Sequence, residues 1–96
     1  MQDLKNIRAD IDKIDRQIVA LYEERMKLTS EVAAYKIANG REVFDSVREL
    51  QKLAAVEDLT HSEFTRHGVH ELFEHIMAMS RKKQYQLLTE SGRRFD

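Results

Sequence analysis

Leu4, Ile7, Ile11, Ile14, Ile18, Leu21, Leu28 and Val32 recur in steps of three and four, and where the series needs one more apolar residue it has Arg25. That period lays one apolar seam along a helix and is incompatible with a strand, whose faces alternate every second residue. Asn39-Gly40 supplies the stop, so the helix runs from Leu4 to about Tyr35 and Lys36, within residues 1–38. More than thirty residues at 1.5 Å each span roughly 50 Å. A compact globule of this chain length has a radius of gyration of only about 12 to 13 Å. The rest of the chain is too short to cover such a helix, and a second copy with its own long helix is the natural solution.

The remaining sequence also reads as helical. There is no proline and there are only three glycines, which leaves little to break helices. Two shorter helices are predicted, Ser46 to Leu59 (the element spanning 45–59) and Ser62 to Thr89, followed by a frayed tail over 90–96. Ser46 and Glu49 fit a capping box, and Asp45 is an alternative cap. In the third helix the stripe Val69, Leu72, Phe73 and Ile76 continues as Ser80 and Gln84 before Leu87, with Gly68 near its start. The expectation is an all-α fold over a single domain, 1–96: three helices, one very long, in an intertwined homodimeric bundle.

Several partner classes are set aside by composition. The 16 Lys and Arg balance 17 Asp and Glu, and the longest basic run is Arg81, Lys82 and Lys83. No basic stripe marks a nucleic-acid surface. Met1 to Arg8 carries charge of both signs without an apolar block, so no signal peptide is expected, and no stretch approaches a membrane span. The absence of cysteine removes a disulfide framework and a thiol nucleophile, and fits a cytoplasmic location.

A guanidinium on a face that leaves water is costly unless it is paired, and its bland role would be to snorkel to the rim or to meet a structural carboxylate. Arg25 and Lys36, however, are eleven residues apart, three turns with only about 20° of drift. Two long cationic side chains on one face leave room between them for a small dianion. Arg8 lies seventeen residues before Arg25, about 25 Å down the helix, out of reach of the same small ligand. In an antiparallel dimer the partner's copy is carried back toward Arg25.

These positions resemble the all-helical class of chorismate mutases, from about Arg8 to Gln84. The family's first-helix arginine, second arginine and lysine match Arg8, Arg25 and Lys36 without gaps. Its acid, arginine and glutamate at the loop-to-helix junction match Asp45, Arg48 and Glu49, and its last-helix serine and glutamine match Ser80 and Gln84. The resemblance implies a dimer with two equivalent sites, each taking Arg8 from one chain and the rest from the other. It implies an isomerase of phenylalanine and tyrosine biosynthesis that converts chorismate to prephenate by a Claisen rearrangement, with no cofactor and no metal. A pericyclic step asks for a compact substrate conformer and for stabilised charge on the breaking ether, without a nucleophile or obligatory proton transfer. By the same resemblance, Arg8 and Arg25 hold the two carboxylates, and Lys36 and Gln84 donate to the ether oxygen. Asp45, Glu49 and Ser80 address the ring hydroxyl and neighbouring groups, and Arg48 orients the acids or lines the site.

The chain departs from the family pattern at Met77 and Arg81, where relatives often carry plain aliphatic side chains at the pocket wall. Arg81, adjacent to a seam position, is expected to turn outward. Glu42 stands where relatives often have proline, which bears on loop rigidity only. His67, His70 and His75 with Glu71 and Glu74 lack the spacing of a familiar zinc helix and read as surface histidines. Met77, Met79, Phe64 and Phe73 read as core filler, and Tyr22 and Tyr35 as packing residues of the dimer seam. Two other functions stay open: an isochorismate-pyruvate lyase of the same fold, and a non-catalytic helical dimerisation module. Asp45, Glu49 and Ser80 together favour the mutase over the lyase. A plain coiled coil would have Leu or Asn at position 25 and no reason for Ser80 and Gln84.

Overall fold

A computed structural model describes residues 3–92 as three helices, α1 (Leu4–Ala38), α2 (Ser46–Glu57) and α3 (Glu63–Glu90), with no strand among the described residues. This is the all-α, three-helix order expected, although α2 stops short of Leu59 and α3 runs on past Thr89. The part of the expected tail beyond Gly92 lies outside the described residues, as do Met1 and Gln2.

Each helix begins where a side-chain oxygen replaces a missing carbonyl partner. Asp3 Oδ1 accepts from the Asn6 N–H at 2.8 Å, Asp45 Oδ1 from the Arg48 N–H at 3.0 Å and Ser62 Oγ from the Thr65 N–H at 3.2 Å. The capping box read at Ser46 and Glu49 is therefore corrected: Asp45 is the cap, Ser46 is already helical, and the Glu49 side chain is free to reach elsewhere. At the end of α1 the Arg41 N–H bonds the Lys36 carbonyl at 2.8 Å and the Gly40 N–H bonds that of Ile37 at 3.4 Å. This Schellman closure holds Gly40 at φ 64°, where a Cβ would cost about 1–2 kcal/mol. Gly68 leaves α3 unbroken.

α3 packs against both other helices, whereas α1 and α2 do not pack on each other. The buried side chains are Thr29 and Ala33 of α1, Val43 of the connecting loop, and Met77, Ser80, Gln84 and Leu88 of α3. Everything enclosed thus lies around the C-terminal half of α1. The other half has no cover: Leu4, Ile7, Ile11, Ile14, Ile18 and Leu21 are 42% to 64% exposed. The chain measures 59 × 25 × 16 Å with a radius of gyration of 17.1 Å, well beyond the roughly 12 to 13 Å of a compact chain of this length.

The core-filler reading holds for Met77, but Phe64 is 88% exposed and Met79 is exposed as well. Phe64 stands in the first turn of α3, where Arg66 meets Glu57 and Asp58 at the end of α2 while the Phe64 ring stays in water. Phe73 and Tyr22 are half-buried, and Tyr35 is exposed with the Arg41 guanidinium 6.0 Å from its ring centroid. Among the described residues no helix is long and apolar enough to cross a membrane.

Candidate active site

The covered half of α1 carries Arg25, Thr29, Val32 and Lys36 on consecutive turns of one face. α3 meets that face with Met77, Ser80, Arg81 and Gln84, and the start of α2 closes a third side with Asp45, Arg48, Glu49 and Lys52. Between them lies a pocket of about 350 Å³, within the range of small-molecule sites. Seven of the eight polar residues singled out in the sequence line it: Arg25, Lys36, Asp45, Arg48, Glu49, Ser80 and Gln84. Arg8 does not. It sits on an exposed turn of α1, about 25 Å along the axis from Arg25 at 1.5 Å per residue.

Five cationic side chains, Arg25, Lys36, Arg48, Lys52 and Arg81, face two carboxylates, Asp45 and Glu49. The pocket therefore carries an excess of positive charge, which suits an anion. Its innermost cations are held by neutral groups. Arg25 Nη1 donates to Ser80 Oγ at 2.7 Å, and Thr29 Oγ1, which donates to the Arg25 carbonyl at 3.0 Å, lies 3.5 Å from the same Ser80 oxygen. Lys36 Nζ donates to the Val43 carbonyl at 2.6 Å, tying the α1–α2 loop down and leaving two of its three N–H donors. Among the described residues no carboxylate lies within ion-pair distance of Arg25 or Lys36. Half-buried charges left in this state are costly to the free protein and suit a ligand that brings its own negative charge.

Gln84 adds a second unfilled valence. It is buried at 7% exposure, and among the described residues its Oε1 finds no hydrogen-bond partner. Leaving a buried amide oxygen unpaired costs about 1–3 kcal/mol. Which end of the amide faces the pocket follows from the hydrogen-bond network, and half a turn about the last side-chain bond exchanges donor for acceptor.

Arg81 departs from expectation. It turns inward and pairs with Glu49 across the α2–α3 seam, with its guanidinium 5.1 Å from the centroid of the Phe44 ring. An outward side chain would have forfeited both contacts. α2 brings a carboxylate to within reach, and that tertiary fact overrides the register of Arg81 on its own helix. Two further polar lining residues were not singled out. Thr29 is one turn after Arg25, and Lys52 is one turn after Arg48, so same-face spacing alone was the available signal for both.

The histidines lie elsewhere. His70 is 3.5 Å from Glu57 and 3.3 Å from Glu74, while His67 and His75 are exposed. Among the described residues no three metal-ligating side chains converge.

A sequence model of the chorismate mutase type II family matches residues 7–85, a span running from one residue before Arg8 to one residue after Gln84. The T-protein of Haemophilus influenzae is 34% identical over 55 residues, which is 57% of this chain. The chain spans only 15% of that relative's length.

Proposed function

Because the chain belongs to the chorismate mutase type II family, we propose that it rearranges chorismate to prephenate in a pocket that two copies of the chain complete. In this reaction an ether C–O bond breaks as a C–C bond forms in the same molecule. Electrons move around one six-membered ring, and no proton or electron enters or leaves. The protein's task is to hold the substrate compact and to stabilise negative charge growing on the ether oxygen.

Arg25 takes one substrate carboxylate, and Arg8 of the partner subunit takes the other. Lys36 Nζ and the Gln84 amide donate to the ether oxygen. Asp45, Glu49 and Ser80 address the ring hydroxyl and its surroundings, and Arg48 orients the acids. The observation that carries this reading is the set Arg25, Lys36 and Gln84: two half-buried cations without a carboxylate partner among the described residues and a buried amide with an unfilled valence, all on one pocket. The partner's part is supported by the uncovered apolar seam from Leu4 to Leu21 and by the distance of Arg8 from the pocket of its own chain.

The test is to add the purified protein to chorismate, follow the loss of its absorbance and identify the product. Prephenate is the expected product. Unchanged absorbance, or release of pyruvate, refutes the reading.

A further inference from the structure

We propose that Arg81 is a positioning residue of this pocket: it holds the Glu49 carboxylate on the α2 side, ready for the substrate's ring hydroxyl and away from Arg25 and Lys36, which serve a substrate carboxylate and the ether oxygen. The inference rests on the function proposed above. Its ground is the way α2 is attached. α2 packs on α3 and not on α1, and α1 holds its start only through the Lys36 hydrogen bond to the Val43 carbonyl in the loop before the cap. Arg81 supplies a fixture. From α3 its Nη1 donates to Glu49 Oε1, and its guanidinium lies 5.1 Å from the ring centroid of Phe44, the residue before the α2 cap. One side chain thus grips both flanks of the turn that carries Asp45, Arg48 and Glu49.

The electrostatics show why a grip is needed. Glu49 is one of two carboxylates in a pocket with five cations. Left loose, a half-buried carboxylate moves toward positive charge that has no carboxylate partner; among the described residues Arg25, Lys36, Arg48 and Lys52 are in that state, and Arg25 and Lys36 are the two on the α1 side of the pocket, held only by neutral oxygens. Such a collapse would fill the anion subsite from within. The pair with Arg81 prevents it while using only one carboxylate oxygen. Among the described residues Oε2 accepts no hydrogen bond, which leaves it for a hydroxyl donor. An arginine suits the task because its planar fork bonds a carboxylate and lies over an aromatic ring at the same time.

The experiment is a double-mutant cycle on chorismate turnover with Arg81→Leu, Glu49→Ala and the pair, alongside Arg81→Lys. Arg81→Leu is expected to lower kcat/KM about tenfold, the order for one charge-assisted hydrogen bond. The loss should appear mainly in KM, because hydroxyl placement serves ground and transition states alike. On the Glu49→Ala background the same substitution should cost less than about twofold, since nothing remains to be held. Arg81→Lys, which keeps the charge but not the fork, should recover part of the loss. Helicity and thermal unfolding are followed for every variant. If Arg81→Leu does not fold, Arg81→Gln takes its place in the cycle. Losses that multiply in the double variant overturn the inference, because Arg81 then acts without Glu49, and so does an Arg81→Leu protein as active as the parent. A parent chain that leaves chorismate unchanged overturns the proposed function and this inference together.

Discussion

Two inactive variants mixed in equal amounts should recover about a quarter of the parent activity. The variants are Arg8→Ala and Lys36→Ala, residues about 42 Å apart along one helix at 1.5 Å per residue, too far to serve one small-molecule pocket within a chain. Lys36 donates into the pocket wall at the Val43 carbonyl, 2.6 Å away. Arg8 lines no part of its own chain's pocket, so if each chain worked alone Arg8→Ala would cost nothing. If instead each chain lends Arg8 to its partner, either variant loses one oriented cation from both of its sites, at about 10²–10³ in rate. Random pairing puts about half of all dimers in the mixed form, each with one site intact and one lacking both residues, so about a quarter of all sites work. That is at least tenfold above either variant alone. The assay is chorismate consumption after the variants are unfolded and refolded together, with the three pairings resolved by native mass spectrometry. Mixed dimers present without recovered activity would refute the shared site.

Light scattering should give twice the 11.3 kDa chain mass, and a folded, active species of single-chain mass is the contrary result. Gln84→Glu should be poor at neutral pH and regain rate on acidification: a carboxyl donates to an ether oxygen only when protonated, and between Arg25 and Lys36 it tends to ionise. A variant-to-parent ratio of turnover efficiency that does not change with pH would remove Gln84 from the ether oxygen. Asp45 serves both as helix cap and as pocket wall, and two substitutions separate these roles. Asp45→Ala should lose about 1 kcal/mol of stability with the cap, whereas Asp45→Asn keeps the cap and should lose activity alone. Denaturant melts and turnover of both variants decide, and full activity in the asparagine variant would confine Asp45 to capping.

What could be read without coordinates is what depends on position along one helix. The three-and-four spacing from Leu4 to Val32 specifies a long helix, because helix geometry follows from the backbone and needs no partner. The same rigidity places Arg25 and Lys36 on one face, and Ser80 and Gln84 on another. The excess length of α1 was legible as well, and its uncovered seam from Leu4 to Leu21 bears that out. Near the cap the sequence left a choice. Asp45 and Ser46 both carry an oxygen fit to cap α2, and propensity ranks them almost equally.

Tertiary structure made the choices that depend on what stands opposite. Capping by Asp45 leaves Glu49 with no task at its own helix end, and α3 then offers it Arg81. Neither residue's spacing foretells this. An ion pair between helices depends on where two backbones pass, and the direction of Arg81 depends on which carboxylate it finds there. Phe64 is the same lesson reversed: its apolar character suits a core, but among the described residues nothing covers its ring, so it stays in water. Periodicity along the chain determined which faces are apolar and which polar groups share them. The crossing of α3 with α1 and α2 decided which of those groups meet, because contact energies fall off within a few ångströms while a helix register only sets direction.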